Sequence, residues 1–494
     1  MPSFVRRRPG FWAVCLTCFV ATHAAIGNTA AASRPNVLLL LVDDLGWADL
    51  GCYGSELHRT PHIDALAASG MRYTQAYAAC PVCSPTRASI MTGRHPVQVG
   101  ITDWIPGMDA SRRADRRFEH VDDLSELPAS EKTLAEYLRE ANYQNAFFGK
   151  WHLGGEGSLP TDHGFDHNVG GDKFGSPPGG YHAPFRNPRL PEVPEGTYLP
   201  TLLTDELIRW VDDRDPARPF FAMLSYYNVH TPIQPDRRTV EDYRQQVAQR
   251  FVGPTPTLTF RDVISRGRQD NPEYASMVTA VDSSVGRLME MLDASGLTKN
   301  TMVVFYSDNG GLCTLPPRRR VGQTTGSETF VGGPTCNLPL RSGKGWLYEG
   351  GIREPAIIRM PAENPPRDVT EQVISSCDIL PTVLAACGIE PNAETELSGI
   401  DVMSEDARHQ PRTLHWHYPH YHGSGWTPGA AIRDGDWKLI EFYEWDAVEL
   451  YNLAKDPGES RDVAGEHPEI TQRLRDRLFR WQAEQGAKLP EPIH

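Results

Sequence analysis

Residues 80–87 read CPVCSPTR and place Cys83 where a thiol can act as a nucleophile. Pro85 favours the first turn of a helix, so we expect Cys83 just before a helix N-terminus. The unpaired backbone N–H groups and the dipole of a helix favour anionic groups at that position. The segment therefore predicts a depressed pKa for the Cys83 thiol and an anion-binding site beside it.

Two acidic pairs carry the side chains that a hard divalent cation requires. Asp43 and Asp44 follow the apolar run NVLLLLV of residues 36–42, and Asp308 and Asn309 follow the apolar run MVVFY closely. Carboxylate and amide oxygens are the ligands that Ca²⁺ and Mg²⁺ prefer. Adjacent carboxylates on one loop repel each other unless a cation lies between them. Oxygen ligands of this kind suit a hard divalent cation, and ligand type alone does not separate Ca²⁺ from Mg²⁺, because both cations choose oxygen.

Basic side chains follow two further apolar runs. Lys150 and His152 come after residues 146–148 (AFF), and His230 comes after residues 220–227 (FFAMLSYY). A solvated loop explains any one such group, but it does not explain four apolar runs that each lead into polar side chains. In open α/β sheets, ligands bind outside the carboxyl ends of the strands. We expect the four groups to converge at one edge of a sheet.

The apolar runs have the pattern of parallel strands, because short and uniformly hydrophobic segments suit strands covered on both faces. Helical patterns separate them, and the clearest begins at Asn271 and Pro272, a capping residue and a proline suited to the first turn. Its apolar stripe recurs at helical spacing: Tyr274, Met277, Val278, Val281, Val285, Leu288 and Leu292. Strands that alternate with helices predict an α/β fold.

The pattern changes near residue 405. Residues 437–443 (WKLIEFY) and 448–453 are predicted strands, and residues 467–485 have the pattern of an amphipathic terminal helix. We predict a larger domain at residues 33–405, which carries the candidate active site. The remaining residues, 406–494, are predicted to form a smaller α+β domain.

Composition and charge exclude some classes of partner. The chain has 494 residues, of which 39% are hydrophobic and 23% charged, as in ordinary globular proteins. Its formal net charge of -14 argues against binding to DNA or RNA, because phosphate affinity requires a basic face. Residues 316–334 have the pattern of a long surface insertion, either solvated or in contact with substrate. The oligomeric state is left open.

The N-terminus has the pattern of an export signal. Three arginines at residues 6–8 precede an apolar stretch at residues 11–26 and small residues at 30–32. The apolar stretch is shorter than the ~20 residues of a spanning helix. We therefore predict a signal peptide at residues 1–32 and export to the periplasm or the extracellular space. An uncleaved membrane anchor is the alternative.

Nine cysteines are present, and seven of them follow the predicted signal peptide. An odd number in an exported protein leaves one thiol over, and such a residue can be reactive. If Cys83 is that residue, Cys377 with Cys387 and Cys313 with Cys336 are candidate bridges. The alternative is that most of these residues are small buried thiols.

Residues 83–87 (CSPTR) resemble the sulfatase signature, cysteine–x–proline–x–arginine, and residues 92–94 (TGR) resemble its downstream part. In that family a maturation enzyme converts the cysteine to Cα-formylglycine. The resemblance covers nearly the whole chain after the signal. It implies the fold of the alkaline phosphatase superfamily, a large, mixed and mostly parallel sheet flanked by helices. It also implies a formylglycine at Cys83 and a Ca²⁺ site formed by that residue with Asp43, Asp44, Asp308 and Asn309.

The resemblance also implies a role for each basic residue. Arg87, Lys150 and Lys344 offset charge on the nucleophile and on the sulfuryl oxygens. A hydroxyl of the aldehyde hydrate attacks sulfur and gives a covalent sulfate intermediate. His230, with Lys344, protonates the departing oxygen as a general acid. His152 then takes the proton from the second hydroxyl, which expels sulfate and regenerates the aldehyde.

Two weaker signals predict the substrate. The resemblance to polysaccharide sulfatases implies an exo-acting enzyme on sulfated galactose or N-acetylgalactosamine residues. Aromatic residues interleaved with histidines suit a sugar subsite, with core packing or a histidine metal site as alternatives: Trp416, Tyr418, Tyr421 and Trp426 beside His415, His417, His420 and His422. The candidates for substrate contact are His182, Trp346, His417 and His422.

Two other function classes stay open at the level of sequence. A phosphoester or phosphonate hydrolase of the same superfamily would share the metal ligands. A second, dinuclear set of ligands would favour phosphate chemistry, and the sequence shows one set. A sulfatase-like protein whose Cys83 is never oxidised would bind sulfated glycans without hydrolysing them, so the chemical state of Cys83 separates this class from the enzyme.

Overall fold

Three β-sheets organise the residues that the structure, a computed structural model, describes: 1–5, 10, 34–108, 116–261, 263–315 and 332–493. Arg34–His494 form one compact unit. The strands are, in chain order, β1 (Asn36–Val42), β2 (Met71–Tyr77), β3 (Gln144–Gly149), β4 (His167–Val169), β5 (Phe220–Ser225), β6 (Thr257–Phe260), β7 (Val263–Arg266), β8 (Thr301–Ser307), β9 (Thr314–Leu315), β10 (Arg353–Arg359), β11 (Asp368–Ser375), β12 (Thr413–Tyr418), β13 (Gly429–Asp434), β14 (Trp437–Phe442) and β15 (Ala447–Asn452).

The helices begin where the sequence offers caps and prolines. They are, in chain order, α1 (Pro61–Ala68), α2 (Cys83–Thr92), α3 (Pro96–Val99), α4 (Leu134–Glu140), α5 (Leu199–Asp213), α6 (Val240–Arg250), α7 (Pro272–Ala294), α8 (Glu349–Ile352), α9 (Ile379–Ala386), α10 (Glu405–His409) and α11 (Pro468–Glu484). The Asn271 side chain accepts from the backbone N–H groups of Glu273 and Tyr274, which caps α7 as predicted. In the part of the chain that is described, no helix has the length and apolar character to cross a membrane.

The largest sheet has eight strands in the order β11-β2-β10-β8-β1-β5-β3-β4. Neighbours run parallel except at β10, which is antiparallel to β2 and β8. β1 lies between β5 and β8, and all seven of its residues are buried. Leu39 and Leu41 contact the core on one face, and Leu38 and Leu40 contact the core on the other. The uniform hydrophobicity of β1 therefore reflects cover on both faces.

Helices cover both faces of this sheet. Residues of α1, α5 and α7 form the core on one face, and residues of α2, α4 and α9 form the core on the other. The predicted stripe of α7, from Tyr274 to Leu292, is buried. The prediction of an α/β fold with a mixed, mostly parallel sheet flanked by helices is confirmed.

The C-terminal residues form an antiparallel sheet in the order β12-β13-β14-β15. α11 packs Leu474 and Leu478 onto one face of this sheet. On the opposite face, Trp416 and Phe442 share a core with Val82, the residue before Cys83. The predicted α+β elements are confirmed, while the boundary at residue 405 stays a prediction. A third, antiparallel sheet has the order β6-β7-β9.

Some predictions fall on residues that the structure does not describe. Most of the predicted signal peptide at 1–32 and most of the insertion at 316–334 lie outside the described residues, and both stay predictions. The seven cysteines that the structure does describe are free thiols, so neither candidate bridge is formed. Six of the seven are buried, which agrees with the buried-thiol alternative.

Candidate active site

The carboxyl ends of β1, β3, β5 and β8 meet at one edge of the large sheet, as predicted. Asp43 and Asp44 follow β1, Asp308 follows β8 and Lys150 follows β3. The Asp44 N–H donates to Asp308 Oδ1 at 3.2 Å, and the Asp43 N–H donates to Asn228 O, beyond β5, at 2.8 Å. The parallel order of the strands therefore brings together side chains that are far apart in sequence.

Cys83 is the first residue of α2, one position further into the helix than expected, and Val82 is the N-cap. All ten residues of α2 are buried, and Cys83 is 2% exposed. The predicted depression of the Cys83 pKa is wrong. Burial raises the pKa of the thiol, and the charges of Lys150 and Lys344 oppose this only in part. An unmodified thiol at this position is mostly protonated near neutral pH and is a weak nucleophile.

Arg87 lies one turn into α2 and joins the strand ends. Its Nε and Nη2 lie 2.8 and 2.7 Å from Asp308 Oδ2. Its Nη1 donates to Lys150 O at 2.7 Å and to Ser225 Oγ at 2.6 Å. Burial by itself would lower the pKa of Arg87, but Asp308 and Asp43 raise it on balance. The guanidinium is thus a fixed positive charge in a buried site.

Two lysines pair with the acidic residues. Lys150 Nζ donates to Asp43 Oδ2 at 2.7 Å, and Lys344 Nζ donates to Asp44 Oδ1 at 2.6 Å. The side chain of Lys150 is 0% exposed, whereas that of Lys344 is 8% exposed. Burial would lower the pKa of Lys344, but Asp44 raises it above its usual range. Lys344 therefore places a positive charge closer to solvent than Lys150 does.

His230 and His152 differ in access to solvent. His230 Nε2 lies 3.8 Å from Asp44 Oδ2 and its side chain is 16% exposed, whereas His152 is 1% exposed. His152 Nε2 lies 2.5 Å from Ile105 O. Burial and the charge of Lys344 lower the pKa of His230 to about 3. Burial and nearby cations hold the pKa of His152 well below its usual value, so both rings are neutral near pH 7.

Two side-chain oxygens in the site, one from an aspartate and one from an asparagine, have no hydrogen-bond partner in the described parts of the chain. Asp43 Oδ1 and Asn309 Oδ1 are buried, and neither has a hydrogen-bond partner among the described residues. Ligand atoms of Asp43, Cys83 and Asp308 lie within 4.8 Å of one another. Buried oxygens without partners are costly unless water or a cation binds them. The set fits a hard divalent cation, which the predicted ligands Asp43, Asp44, Cys83, Asp308 and Asn309 would hold.

The adjacent carboxylates Asp43 and Asp44 have opposite pKa shifts. Burial raises the pKa of Asp43 to about 8 against the opposing charge of Lys150. Burial also acts to raise the pKa of Asp44, but Lys344 and His230 outweigh it and the pKa falls below its usual range. The raised pKa of Asp43 means that the nearby positive charges do not fully stabilise its carboxylate. A cation bound there would stabilise the carboxylate and displace the proton.

Two of the four predicted substrate contacts are buried. Trp346 is fully buried in the core that includes Val82 and Trp416, so its ring has no surface to offer a sugar. His417 is 3% exposed, and its two ring nitrogens hydrogen-bond with Lys488 O and Gln482 Nε2. Core packing also explains the aromatic residues of the predicted sugar subsite, all at most 3% exposed: Trp416, Tyr418, Tyr421 and Trp426.

The other two predicted contacts are partly exposed. His422 lies against the backbone next to Lys344, since a Cβ added at Gly345 would be 2.0 Å from His422 Nδ1. His182 stacks on Tyr198 with ring centroids 4.7 Å apart, and its Nε2 lies 3.1 Å from Pro235 O. Of the four candidates, His422 is thus placed beside a predicted active-site residue, and its contact with substrate stays a prediction.

Several supporting residues were missed by the sequence analysis. Ser225 Oγ accepts from Arg87 and donates to Lys150 O at 2.7 Å. Tyr274 OH donates to Asp44 O at 3.2 Å and to Asp49 Oδ2 at 2.6 Å, which ties α7 to the loop after β1. Ser225 is the one serine inside the predicted apolar run of residues 220–227, and this was a usable signal. No local pattern marks Tyr274, which reads as one more member of an apolar stripe.

Comparisons with known proteins agree with this geometry. Residues 35–389 match the model of the sulfatase family, and residues 342–484 match that of the C-terminal region of N-sulphoglucosamine sulphohydrolase. N-acetylgalactosamine-6-sulfatase of Canis lupus familiaris is 31% identical over 407 residues, 78% of this chain and 68% of that protein. Arylsulfatase A of Homo sapiens is 31% identical over 515 residues, 92% of this chain and 88% of that protein.

A solved structure extends the comparison to three dimensions. The crystal structure of Ps i-CgsB in complex with k-i-k-neocarrahexaose has a TM-score of 0.70 and 27% sequence identity. The match covers 93% of this chain and 95% of that one. The chain therefore belongs to the type I sulfatases of the alkaline phosphatase superfamily and is a sulfuric ester hydrolase.

Proposed function

We propose that this sulfatase removes sulfate from saccharides, with Cys83 oxidised to formylglycine and Ca²⁺ bound beside it. The observation that carries the proposal is the buried Cys83 at the start of α2, with its Sγ in ligand range of Asp43 and Asp308. Burial raises the pKa of an unmodified thiol there, which argues against the cysteine itself as the nucleophile. The aldehyde supplies a hydroxyl nucleophile when hydrated. Mg²⁺ is the alternative ion, because it uses the same ligands.

The side chains of the site differ in exposure to solvent, and the more exposed ones indicate where the sulfate ester enters. His230 is partly exposed and the side chain of Lys344 is 8% exposed, whereas Arg87 and Lys150 are almost completely buried. We therefore place the leaving oxygen of the ester next to His230 and the sulfuryl oxygens next to Lys344. The buried cations Arg87 and Lys150 pair with Asp308 and Asp43 and orient these side chains at the base of the site.

The histidines would carry the protons. An anionic ester beside His230 would oppose the burial and the Lys344 charge that now lower its pKa, so that the ring can donate to the leaving oxygen. His152 keeps a neutral ring and would accept the proton released when sulfate departs. When bound, the divalent cation offsets negative charge on the nucleophile and the sulfuryl oxygens.

For the substrate, we propose a sulfated galactose or N-acetylgalactosamine residue at the end of a glycan, removed by exo action. Similarity to an N-acetylgalactosamine-6-sulfatase and to a structure solved with neocarrahexaose supports this class. The test is a desulfation screen over defined sulfated mono- and oligosaccharides, with the matching phosphate esters as controls. Release of sulfate from a terminal residue supports the proposal, whereas activity on simple aryl sulfates or phosphate esters alone contradicts it.

Mass spectrometry of the tryptic peptide Tyr73–Arg87 tests the proposed nucleophile. We expect the mass of formylglycine in place of Cys83 in active material, and the Cys83→Ala variant should lose activity. Ser89→Ala, a buried substitution further along α2, is a matched control that should keep it. Fully active protein in which Cys83 is entirely unmodified would overturn the proposal.

Metal content tests the proposed cation site. Inductively coupled plasma mass spectrometry of the dialysed protein measures the bound metal. We expect one Ca²⁺ or Mg²⁺ per wild-type chain, and less metal per chain in Asp43→Asn and Asn309→Ala. Asp282→Asn is a suitable control, because its buried carboxylate accepts from the backbone N–H groups of His62 and Ile63 instead. Equal metal content in all three variants and the wild type would place the ion elsewhere.

We also propose that the chain is exported and cleaved after residue 32. The arginines at residues 6–8, the apolar stretch at 11–26 and the small residues at 30–32 support this. N-terminal sequencing of protein recovered from the periplasm or the medium tests it. We expect a mature N-terminus near Ser33, and a chain that keeps Met1 in the membrane fraction would contradict the proposal.

A further inference from the structure

The ring of His152 contacts the turn at residues 103–106, which contains Ile105 and is called the Ile105 turn below. His152 Nε2 lies 2.5 Å from the carbonyl oxygen of Ile105. A carbonyl oxygen only accepts hydrogen bonds, so Nε2 must carry the proton of a neutral ring. Nδ1 is then the unprotonated nitrogen, and it is buried with no hydrogen-bond partner within the described chain. The contact with Ile105 thus selects the tautomer that leaves Nδ1 as a free base.

Ser84 holds the two ends of this contact together. Its Oγ donates to His152 O at 2.9 Å and accepts from the Ile105 N–H at 3.0 Å. Ser84 is 0% exposed, and Ile105 and His152 are 7% and 1% exposed. One hydroxyl therefore satisfies the backbone of the histidine and the backbone of the residue that accepts from its ring.

The backbone and the ring of His152 both need such support. His152 has a φ of 59°, in the left-handed region that residues with a Cβ rarely adopt. The ring is also confined on its other side, because a Cβ added at Gly175 would lie 2.7 Å from His152 Nε2. A histidine in a strained conformation keeps one orientation only while its surroundings determine it.

The Ile105 turn is anchored a second time, by Asp103. Its carboxylate accepts from the Trp104 N–H at 2.9 Å and from Tyr418 OH at 2.9 Å. Tyr418 ends β12 of the C-terminal sheet. The turn therefore connects the C-terminal sheet to the ring of His152, while Ser84 connects the same turn to α2.

We propose that Ser84, the residue directly after Cys83, is a positioning residue that sets the orientation and tautomer of His152 through the Ile105 turn. The inference rests on the role of His152 in the proposed function. The inference gives a function to Ser84, which occupies the first variable position of the cysteine–x–proline–x–arginine pattern at residues 83–87. Without the hydroxyl, two buried backbone groups lose their partner and the ring of His152 can turn or exchange its proton between nitrogens.

The first test reads the tautomer and needs no turnover. In protein labelled with ¹⁵N-histidine, the two-bond ¹⁵N–¹H spectrum of His152, assigned by its loss in His152→Asn, should show a proton on Nε2. Ser84→Ala should give a mixture of both tautomers or the Nδ1–H form. Ser89→Ala is the matched control, because its hydroxyl is also buried on α2 but contacts Thr86 O and Ser376 Oγ. A wild-type tautomer in Ser84→Ala would overturn the inference.

The second test measures turnover at equal formylglycine content, determined for each variant by mass spectrometry of the peptide at residues 73–87. We expect kcat of Ser84→Ala to fall roughly tenfold or more, with little change in KM, since a positioned acid–base group contributes about 10²–10⁴-fold. Ser84→Thr, which keeps a hydroxyl, should restore most of the loss. Equal losses in Ser84→Ala, Ser84→Thr and Ser89→Ala would show a packing effect and overturn the inference.

The two proposals fail in different ways. If wild-type protein lacks formylglycine while active, the proposed function fails, and the tautomer of His152 still tests the role of Ser84. If wild-type protein carries formylglycine and Ser84→Ala matches it in kcat and in tautomer, the role of Ser84 fails and the proposed function stands.

Discussion

At the scale of single residues, the site sets fixed cations against buried carboxylates. The carboxylates are Asp43, Asp44 and Asp308, and the cations are Arg87, Lys150 and Lys344. Every one of these side chains is at most 8% exposed, so water screens their charges weakly. The hydrogen bonds of Arg87 and Lys150 are to protein groups at the base of the site, whereas Lys344 stands nearer its open side.

Lys344→Ala removes the cation that we propose to lie next to the sulfuryl oxygens. We expect kcat/KM for a sulfated saccharide to fall about 100- to 1,000-fold, because removal of one such electrostatic group typically costs this much. The comparison is made by steady-state kinetics at equal formylglycine content. Lys173→Ala removes an exposed lysine and should keep wild-type kinetics. A less than threefold effect in Lys344→Ala would move the sulfate-binding role to another residue.

Residue types and their order predicted which side chains lie together at the sheet edge, but they did not predict the pKa shifts of these side chains. The helix-terminus argument gave Cys83 a depressed pKa, whereas burial of all of α2 raises it. Burial is a property of what packs around a residue, and no local pattern reports it. Ser84 and Ser225 were missed for the same reason, since a hydroxyl is informative only when its partners are known.

At the scale of elements, α7 holds the loop after β1 in place through hydrogen bonds. Tyr274 OH, in the first turn of α7, donates to Asp44 O and to Asp49 Oδ2. The start of this helix depends on Asn271, whose side chain caps it and also donates to Pro334 O at 3.0 Å. The position of the Asp44 backbone therefore depends on how the helix begins.

Asn271→Ala should destabilise the protein by about 0.5–2 kcal/mol, the usual cost of losing an N-cap side chain. The free energy of unfolding in urea measures this. Asn271→Asp, which keeps an acceptor for the Glu273 and Tyr274 N–H groups, should recover most of the loss. Equal destabilisation by both substitutions would mean that the bond to Pro334, and not the cap, supplies the stability.

The docking of α11 depends on a histidine that is buried without charge. His417 of β12 hydrogen-bonds with Gln482 of α11 and with Lys488 just beyond it. Burial lowers its pKa from 6.5 to about 4. Below pH 6.5 the unfolded chain binds a proton that the folded chain excludes, so the stability present above pH 6.5 is lost as the pH falls through 4.

Acidification should therefore release α11 before the large sheet unfolds. We expect amide hydrogen exchange in Pro468–Glu484 to accelerate between pH 6.5 and 4, after correction for the intrinsic rate. The His417→Gln variant should show a shallower dependence on pH over this range. His62→Gln, at an exposed position, should follow the wild type. A pH dependence unchanged in His417→Gln would exclude this histidine as its source.

At the scale of the whole molecule, one buried lysine joins the two main sheets. Lys438 of β14 lies 2.9 Å from Glu349 Oε1 of α8 and 2.8 Å from Glu459 Oε1, and all three side chains are fully buried. Glu349 also accepts from Tyr77 OH at 2.7 Å, at the end of β2. Four residues separate Glu349 from Lys344, so the network fixes the end of the segment that carries Lys344.

Lys438→Met leaves two buried carboxylates without their cation and should cost about 3–5 kcal/mol of unfolding free energy. Urea denaturation measures this, with the exposed Lys455→Met as the control. The double variant Glu349→Gln, Lys438→Met should recover part of the loss, since it removes one of the unpaired charges. A change below 1 kcal/mol in Lys438→Met would mean that water reaches the network.

The class of the fold followed from the sequence because the strands are nearly continuous apolar runs, and β1 matches the predicted run residue for residue. The sequence did not predict the antiparallel direction of β10 or how the C-terminal sheet packs onto the first. These depend on contacts between distant segments. For the same reason the sequence left both a sugar subsite and core packing open for the aromatic and histidine residues around Trp416.

The active site is assembled from places that lie far apart along the chain. The pair of Asp44 with Lys344 spans 300 residues, and the contact of Asp44 with Asp308 spans 264. A nascent chain that ends before Lys344 therefore lacks part of the active site, because the partner of Asp44 has not yet been synthesised. A cation held by Asp43 and Asp308 would bind only after β1 and β8 have come together, and by mass action it would favour folds in which these strands are paired. Cation loading would thereby report that the two strand ends, 264 residues apart along the chain, have come together.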